Sequence, residues 1–317
     1  MKTITTPGCA RSRNILVVLA CSFLMKFITR YLVLAALVIS ISAVAQEKAP
    51  PPADLGAGTT ADVNAAQPSA ASTEELTKAV QNPISSLISV PFQNNNAFGI
   101  GPYDRSQDVL NIQPVIPVGI SKNWNMITRI IQPIVWQPYP NSPTGGAYGF
   151  GDMVPTFFFS PKNVGKLIWG VGPQFILPTA TNDILGQGKL SMGPTVVALI
   201  EPKTGAIGVL VSNDWSIAGS GSRPDVNQMT LQYFANYNLK KGWYFSSSPV
   251  LTANWKASSG NVWVVPVGGG GGRVMKFGPQ PVNLNLQFFG NAVHPAGTSS
   301  WGMRFQIALL YPKLPKP

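Results

Sequence analysis

The sequence predicts an all-β protein: a twelve-stranded antiparallel transmembrane β-barrel preceded by a short N-terminal helix. Three observations carry this. Only 11% of the 317 residues are charged, against about 25% in an ordinary globular domain, yet beyond residue 45 no apolar run reaches the roughly 18 residues that a membrane-spanning helix needs. Apolar residues alternate with polar ones over long segments, the period of a strand with one apolar face. The connections between those segments alternate between short and long, as they do in barrels of the bacterial outer membrane.

The chain opens with targeting features. Residues 1–45 hold five basic residues and no acidic one. Met25-Lys-Phe-Ile-Thr-Arg30 reads as a basic n-region, Tyr31–Ser42 as an apolar h-region and Ala43-Val44-Ala45 as an A-x-A cleavage signal. We therefore expect a signal peptide over 1–45 with translation beginning at Met25; the other reading of this segment is an uncleaved membrane anchor. Both cysteines, Cys9 and Cys21, fall here, so the mature chain is expected to have neither a disulfide frame nor a thiolate metal site. Residues 46–71 are rich in Ala, Pro and Thr with few large apolar side chains, the composition of a disordered linker. Ser72-Thr-Glu-Glu75 then forms a capping box. It predicts a helix over 72–81 with Leu76 and Val80 on one side, ended by Asn82-Pro83.

From 84 to 313 the period is two. Residues 301–311 alternate Trp301, Met303, Phe305, Ile307, Leu309 and Tyr311 with Gly302, Arg304, Gln306, Ala308 and Leu310. Residues 228–239 and 282–288 behave alike. Strands are predicted at 86–93, 107–118, 124–137, 149–160, 166–178, 189–200, 206–217, 226–239, 243–255, 262–277, 282–293 and 301–312. Most exceed the usual five or six residues of soluble strands. Closure follows from the solvent: every backbone amide in hydrocarbon needs a partner, and a closed antiparallel sheet has no edge. The first, third and later odd-numbered connections hold about 6 to 13 residues and the even-numbered ones about 3 to 5. Trp124, Trp136, Trp243, Trp255, Trp263, Trp301 and Tyr311 fall near strand ends, as interfacial girdles require. The competing architecture, a secreted β-sandwich, has shorter strands and no long-short pattern.

Residues 268–272 are five consecutive glycines inside the tenth strand. No Lys-Ser or Lys-Thr follows them, so they are not a P-loop. Two readings stand: the wall is thinned where the helix at 72–81 presses on it, or the glycines relieve curvature.

Several stretches resemble a family of bacterial outer-membrane barrels described as MetA-pathway phenol-degradation proteins or generic transporters. They include Gln81-Asn-Pro-Ile-Ser-Ser-Leu-Ile-Ser-Val-Pro-Phe-Gln-Asn94, Asn111-Ile-Gln-Pro-Val-Ile-Pro117, Phe157-Phe-Phe-Ser-Pro-Lys162, Trp169-Gly-Val-Gly-Pro173, Leu177-Pro-Thr-Ala-Thr181 and Phe277-Gly-Pro-Gln-Pro-Val282. The likeness covers residues 76–313. It implies a barrel in outer-membrane lipid that passes small molecules, aromatic or hydrophobic compounds among them. The alternative is a non-transporting structural or surface-binding barrel. The family pattern commonly ends on an aromatic, whereas Pro312-Lys-Leu-Pro-Lys-Pro317 follows Tyr311 here.

No catalytic set, cofactor motif or metal cluster is legible. The single histidine, His294, is followed by Pro295 in a loop near Ser299 and Ser300, a weak basis for a Ser–His hydrolase. Asp183 and Asp225 are isolated loop acids. Residues 84–317 hold 16 basic and seven acidic residues, but the basic ones are scattered singly, which argues against a nucleic-acid partner. The lumen candidates are Asp152, Asp214 and Arg304, on polar strand faces, and Arg129. Arg129 is assigned inward because a charge facing lipid costs roughly 2–4 kcal/mol at mid-membrane. These four either line a permeation path or brace the wall.

Overall fold

The computed structural model describes residues 72–312; the expected signal peptide, the linker and Lys313 lie outside them. Helix α1 (Thr73–Gln81) opens with the capping box in place. The Glu75 amide donates to Ser72 Oγ at 3.1 Å, and Glu75 Oε2 accepts from the Ser72 amide at 2.9 Å.

Fifteen strand segments follow: β1 (Ile88–Ile100), β2 (Arg105–Ile112), β3 (Val115–Gly119), β4 (Trp124–Pro138), β5 (Gly146–Phe150), β6 (Val154–Pro161), β7 (Leu167–Ile176), β8 (Lys189–Ile200), β9 (Gly205–Gly219), β10 (Asn227–Asn238), β11 (Trp243–Ser247), β12 (Val250–Asn254), β13 (Trp263–Phe277), β14 (Gln280–Val293) and β15 (Trp301–Tyr311). Three wall strands are interrupted, giving the pairs β2/β3, β5/β6 and β11/β12, so the segments make twelve antiparallel strands. Pro114 and Pro249 sit in two of the gaps, where a residue without an N–H cannot serve the ladder. The ring closes where β1 pairs with β15, from Ile88 opposite Tyr311 to Phe98 opposite Trp301.

The alternation expected for 301–311 holds in the sheet. Trp301, Phe305, Ile307 and Tyr311 are exposed on the outside, while Arg304, Ala308 and Leu310 are buried inside. Outward aromatics gather near both rims. Trp124 and Trp169 meet edge to face at the end bearing the short turns, and Trp255 and Trp263 do so at the other.

The first strand differs from expectation. It continues beyond Gln93 to Ile100, so the first connection is a four-residue turn, 101–104, instead of a long loop. Asn94, Asn95 and Asn96 break the apolar alternation that marks a strand, but they pair with β2 and β15 throughout.

The glycine run also has a cause other than the helix. A Cβ on Gly272 would lie 2.4 Å from the Tyr244 ring and hydroxyl, and one on Gly270 would lie 1.9 Å from the Leu286 carbonyl oxygen. The wall is therefore thin for Tyr244 and the neighbouring strand, and α1 packs one step further on. Leu76 belongs to a buried cluster with Leu87, Tyr244, Val274, Ala308 and Leu310.

Candidate functional site

The candidate site is the lumen, which has three levels. At the short-turn end inward apolar side chains meet the N-terminal segment. Besides the cluster around Leu76, Ile84 packs with Ile127, Phe158, Val197, Leu199, Leu210 and Phe234. Gln81 Nε2 donates to Asn238 Oδ1 at 2.7 Å, and Asn82 Nδ2 to Glu201 Oε1 at 2.9 Å. Helix α1 and the residues after it thus sit inside this end of the barrel.

Above this floor lies a cavity of about 180 Å³ whose walls include Arg129, Gln93, Gln113, Gln232, Asn285 and Gln306. No carboxylate lines it. Arg129, opposite Val115 and Thr156 in the sheet, donates from Nη2 to Gln113 Oε1 at 3.1 Å. Arg304 donates from Nε to Asn95 Oδ1 at 2.9 Å and from Nη1 to the Ser248 carbonyl at 2.7 Å. Its guanidinium lies 5.2 Å from the centre of the Phe289 ring. Among the described residues the one ion pair within 4.0 Å is Lys189 with Asp225, at 3.2 Å. The two arginines therefore face the lumen with neutral partners only.

At the long-loop end the connection 177–188 folds into the mouth. Leu185 is buried against the inward-facing Val135 and Ala147, and Thr181 Oγ1 accepts from the Phe150 amide at 3.1 Å. Two charges hold the loop by its backbone. Asp152 Oδ1 accepts from the Ala180 amide at 3.1 Å and Oδ2 from the Gln187 amide at 2.6 Å. Arg223 donates to the carbonyls of Asp183 (2.8 Å), Gln187 (3.1 Å) and Gly186.

The four sequence candidates thus separate by environment. Arg129 points inward and lines the cavity, whereas Arg304 points inward but is buried against Asn95 and Ser248. Asp152 lies in the irregular stretch between β5 and β6 instead of on a strand face, and both its oxygens are engaged with the loop. Asp214 is 2% exposed and opposite Gln228. Its Oδ2 accepts from Gln174 Nε2 at 2.8 Å, and Gln174 Oε1 in turn accepts from Thr156 Oγ1 at 3.1 Å. Arg223 was not singled out by sequence: a lone arginine in a Ser/Gly loop gives no hint of the carbonyls it will meet. His294 Nδ1 is 3.1 Å from the Pro295 carbonyl oxygen and 3.4 Å from Thr298 Oγ1, and neither Ser299 nor Ser300 is hydrogen-bonded to it.

A closed barrel with an apolar, aromatic-rimmed exterior and a polar interior belongs in the outer membrane, where the exterior meets lipid and the ladder satisfies every spanning strand. Comparison with solved structures agrees on the fold. An outer-membrane channel from Pseudomonas putida F1 superposes with a TM-score of 0.55 at 12% identity, over 71% of this chain and 94% of that one. The outer-membrane phospholipase of Salmonella typhi, a dimer with bound calcium, gives 0.39 at 11% identity over 75% and 98%, and the Escherichia coli phospholipase A gives 0.37 at 11% over 72% and 99%. The phospholipases overlap too loosely to inform function. No protein-family model and no curated protein matches the chain.

Proposed function

We propose that the protein is an outer-membrane channel for small solutes, with a preference for anions and with its short-turn end closed by α1. The observation that carries this reading is Arg129 in the wall of a cavity that no carboxylate lines, with the buried, inward-facing Arg304 bonded to the carbonyl of Ser248 in the same wall. A cation held by neutral amides keeps an attractive field for a passing anion, and low-dielectric walls strengthen it. The mouth nearest the helix adds to the field. Lys78, Lys203, Lys240 and Lys241 line a groove there with Glu74 as its one acid.

Val115, Leu210, Phe234 and Tyr244 line the same cavity, which suits a permeant with an apolar or aromatic body and an acidic group. This agrees with what the family resemblance implies about aromatic compounds. The apolar packing around Leu76 and Ile84 favours a gated pore over a permanently open one. The reversal potential of the purified protein in a planar bilayer under a potassium chloride gradient tests the proposal. Chloride preference, with liposome swelling faster in aromatic carboxylates than in sugars of like size, supports it; potassium preference, or no permeation even through a variant lacking residues 46–81, refutes it.

A further inference from the structure

The outside of the barrel carries a polar network where lipid is expected. Register fixes its orientation. Asp108 on β2 stands opposite Trp136 and Asn96, and Asn94 and Asn96 stand opposite Phe305 and Met303 of β15. Trp136 and Phe305 are exposed on the outer face, so the three polar side chains share it. Asn94 Nδ2 donates to Asp108 Oδ1 at 2.9 Å, Asn96 Nδ2 donates to Asp108 Oδ2 at 3.1 Å, and Asn96 Nδ2 also donates to Asn94 Oδ1. Phe98 and Trp301, stacked with ring centres 4.2 Å apart, mark the rim above. Asn94 lies four residues below Phe98, about 10 Å deeper for a tilted strand rising about 3.3 Å per residue.

Polar and ionisable groups at membrane depth are costly and are ordinarily paired or turned away from lipid. This network is only part-paired. The second N–H of Asn94 and the carbonyl oxygen of Asn96 have no partner among the described residues, and lipid tails offer none. A partner must therefore lie in the same membrane and present a donor and an acceptor at the same depth. The other outward-facing charge of the strands, Arg273, is no candidate. It stacks over Trp243, 5.1 Å from the ring centre, and sits toward the short-turn end of β13. A second copy of this chain meets both conditions. A two-fold axis along the membrane normal brings like depths together, and each copy's free N–H and free carbonyl complement the other's. We propose that the β1–β2–β4 face is a homodimer interface centred on Asn94, Asn96 and Asp108.

The test uses the full chain in vesicles of phosphatidylethanolamine and phosphatidylglycerol, with dimerisation read by energy transfer between labelled copies as lipid is added. The wild type should associate specifically, and Asn94→Leu with Asn96→Leu should weaken association about tenfold or more, since the hydrogen bonds across the interface are lost. A wild type that stays monomeric, or a Leu variant that associates equally well, overturns the proposal. So does a variant that loses a co-purifying lipopolysaccharide molecule with no change in association. If the Leu variant fails to fold, Asn96→Cys in a Cys9→Ser, Cys21→Ser background answers the same question. Oxidation in the membrane should link copies through position 96 and not through Val209→Cys on the far wall, and equal linkage at both sites overturns it.

Discussion

Tyr244 lies across Gly272 so closely that any larger residue there would have to displace its ring. The phenol is fixed at its far end. Its hydroxyl donates to Asn283 Oδ1 at 2.8 Å and accepts from Asn285 Nδ2 at 3.3 Å, and its ring helps bury Leu76 of the helix. Gly272→Ala should therefore destabilise the barrel by about 1–3 kcal/mol, the usual cost of overpacking. Gly290→Ala should be near neutral, because nothing lies within 4 Å of a Cβ built there. The temperature at which the folded band is lost in detergent gels reads both, and equal behaviour of the two variants would contradict this account of the glycine run.

The loop 177–188 is held by charges acting on backbone groups. Arg223→Ala removes three donations to its carbonyls and should expose the loop to limited proteolysis while leaving the barrel's heat-modifiable migration intact. An unchanged cleavage rate would show that the loop holds its place without the clamp.

Much of this fold was readable because the bilayer imposes it. A closed wall with lipid on one side and a wet lumen on the other forces the period of two seen at 228–239, 282–288 and 301–311. The capping box at Ser72–Glu75 is equally local. What stayed hidden depends on contacts distant in sequence. Asn94 and Asn96 disguise a strand as a loop until Asp108 is set beside them. Asp152 meets amides 28 and 35 residues away, and Tyr244 meets Asn283 39 residues away. The glycine run leaves two readings open in the sequence, room for the helix or relief of curvature, because nothing local points to the tyrosine on the adjoining strand. Arg304 could be oriented by the alternation of its strand and Arg129 by the cost of a lipid-facing charge, but their lack of carboxylate partners could not be foreseen.

In the proposed channel Asp152 and Asp214 brace the wall and the arginines set the field. Asp152→Asn with Asp214→Asn should lower the unfolding temperature through the first change, because both Asp152 oxygens accept from backbone amides and a nitrogen in place of one leaves a donor unpaired at about 1–3 kcal/mol, whereas the single bond that Asp214 accepts from Gln174 is one that Asn can keep. Ion selectivity should stay where it was. A clear move toward anions with unchanged stability would mean that the acids line the path.

Arg129→Gln and Arg304→Gln should each reduce chloride preference in reversal-potential measurements, and together they should reduce it more than either alone. Glutamine keeps the polar contact and removes the charge, so retained selectivity in the double variant would place the anion-attracting field elsewhere, with the lysines of the short-turn end as the next source.

The central claim is that α1 and the residues around it close a pore, and single-channel recording in planar bilayers compares the full chain directly with a variant lacking residues 46–81. The account predicts that the shortened protein inserts, migrates as a folded barrel before boiling and conducts severalfold more current than the full chain, because Leu76 and Gln81 no longer occupy the floor of the lumen. Equal conductance from two correctly inserted proteins would contradict it.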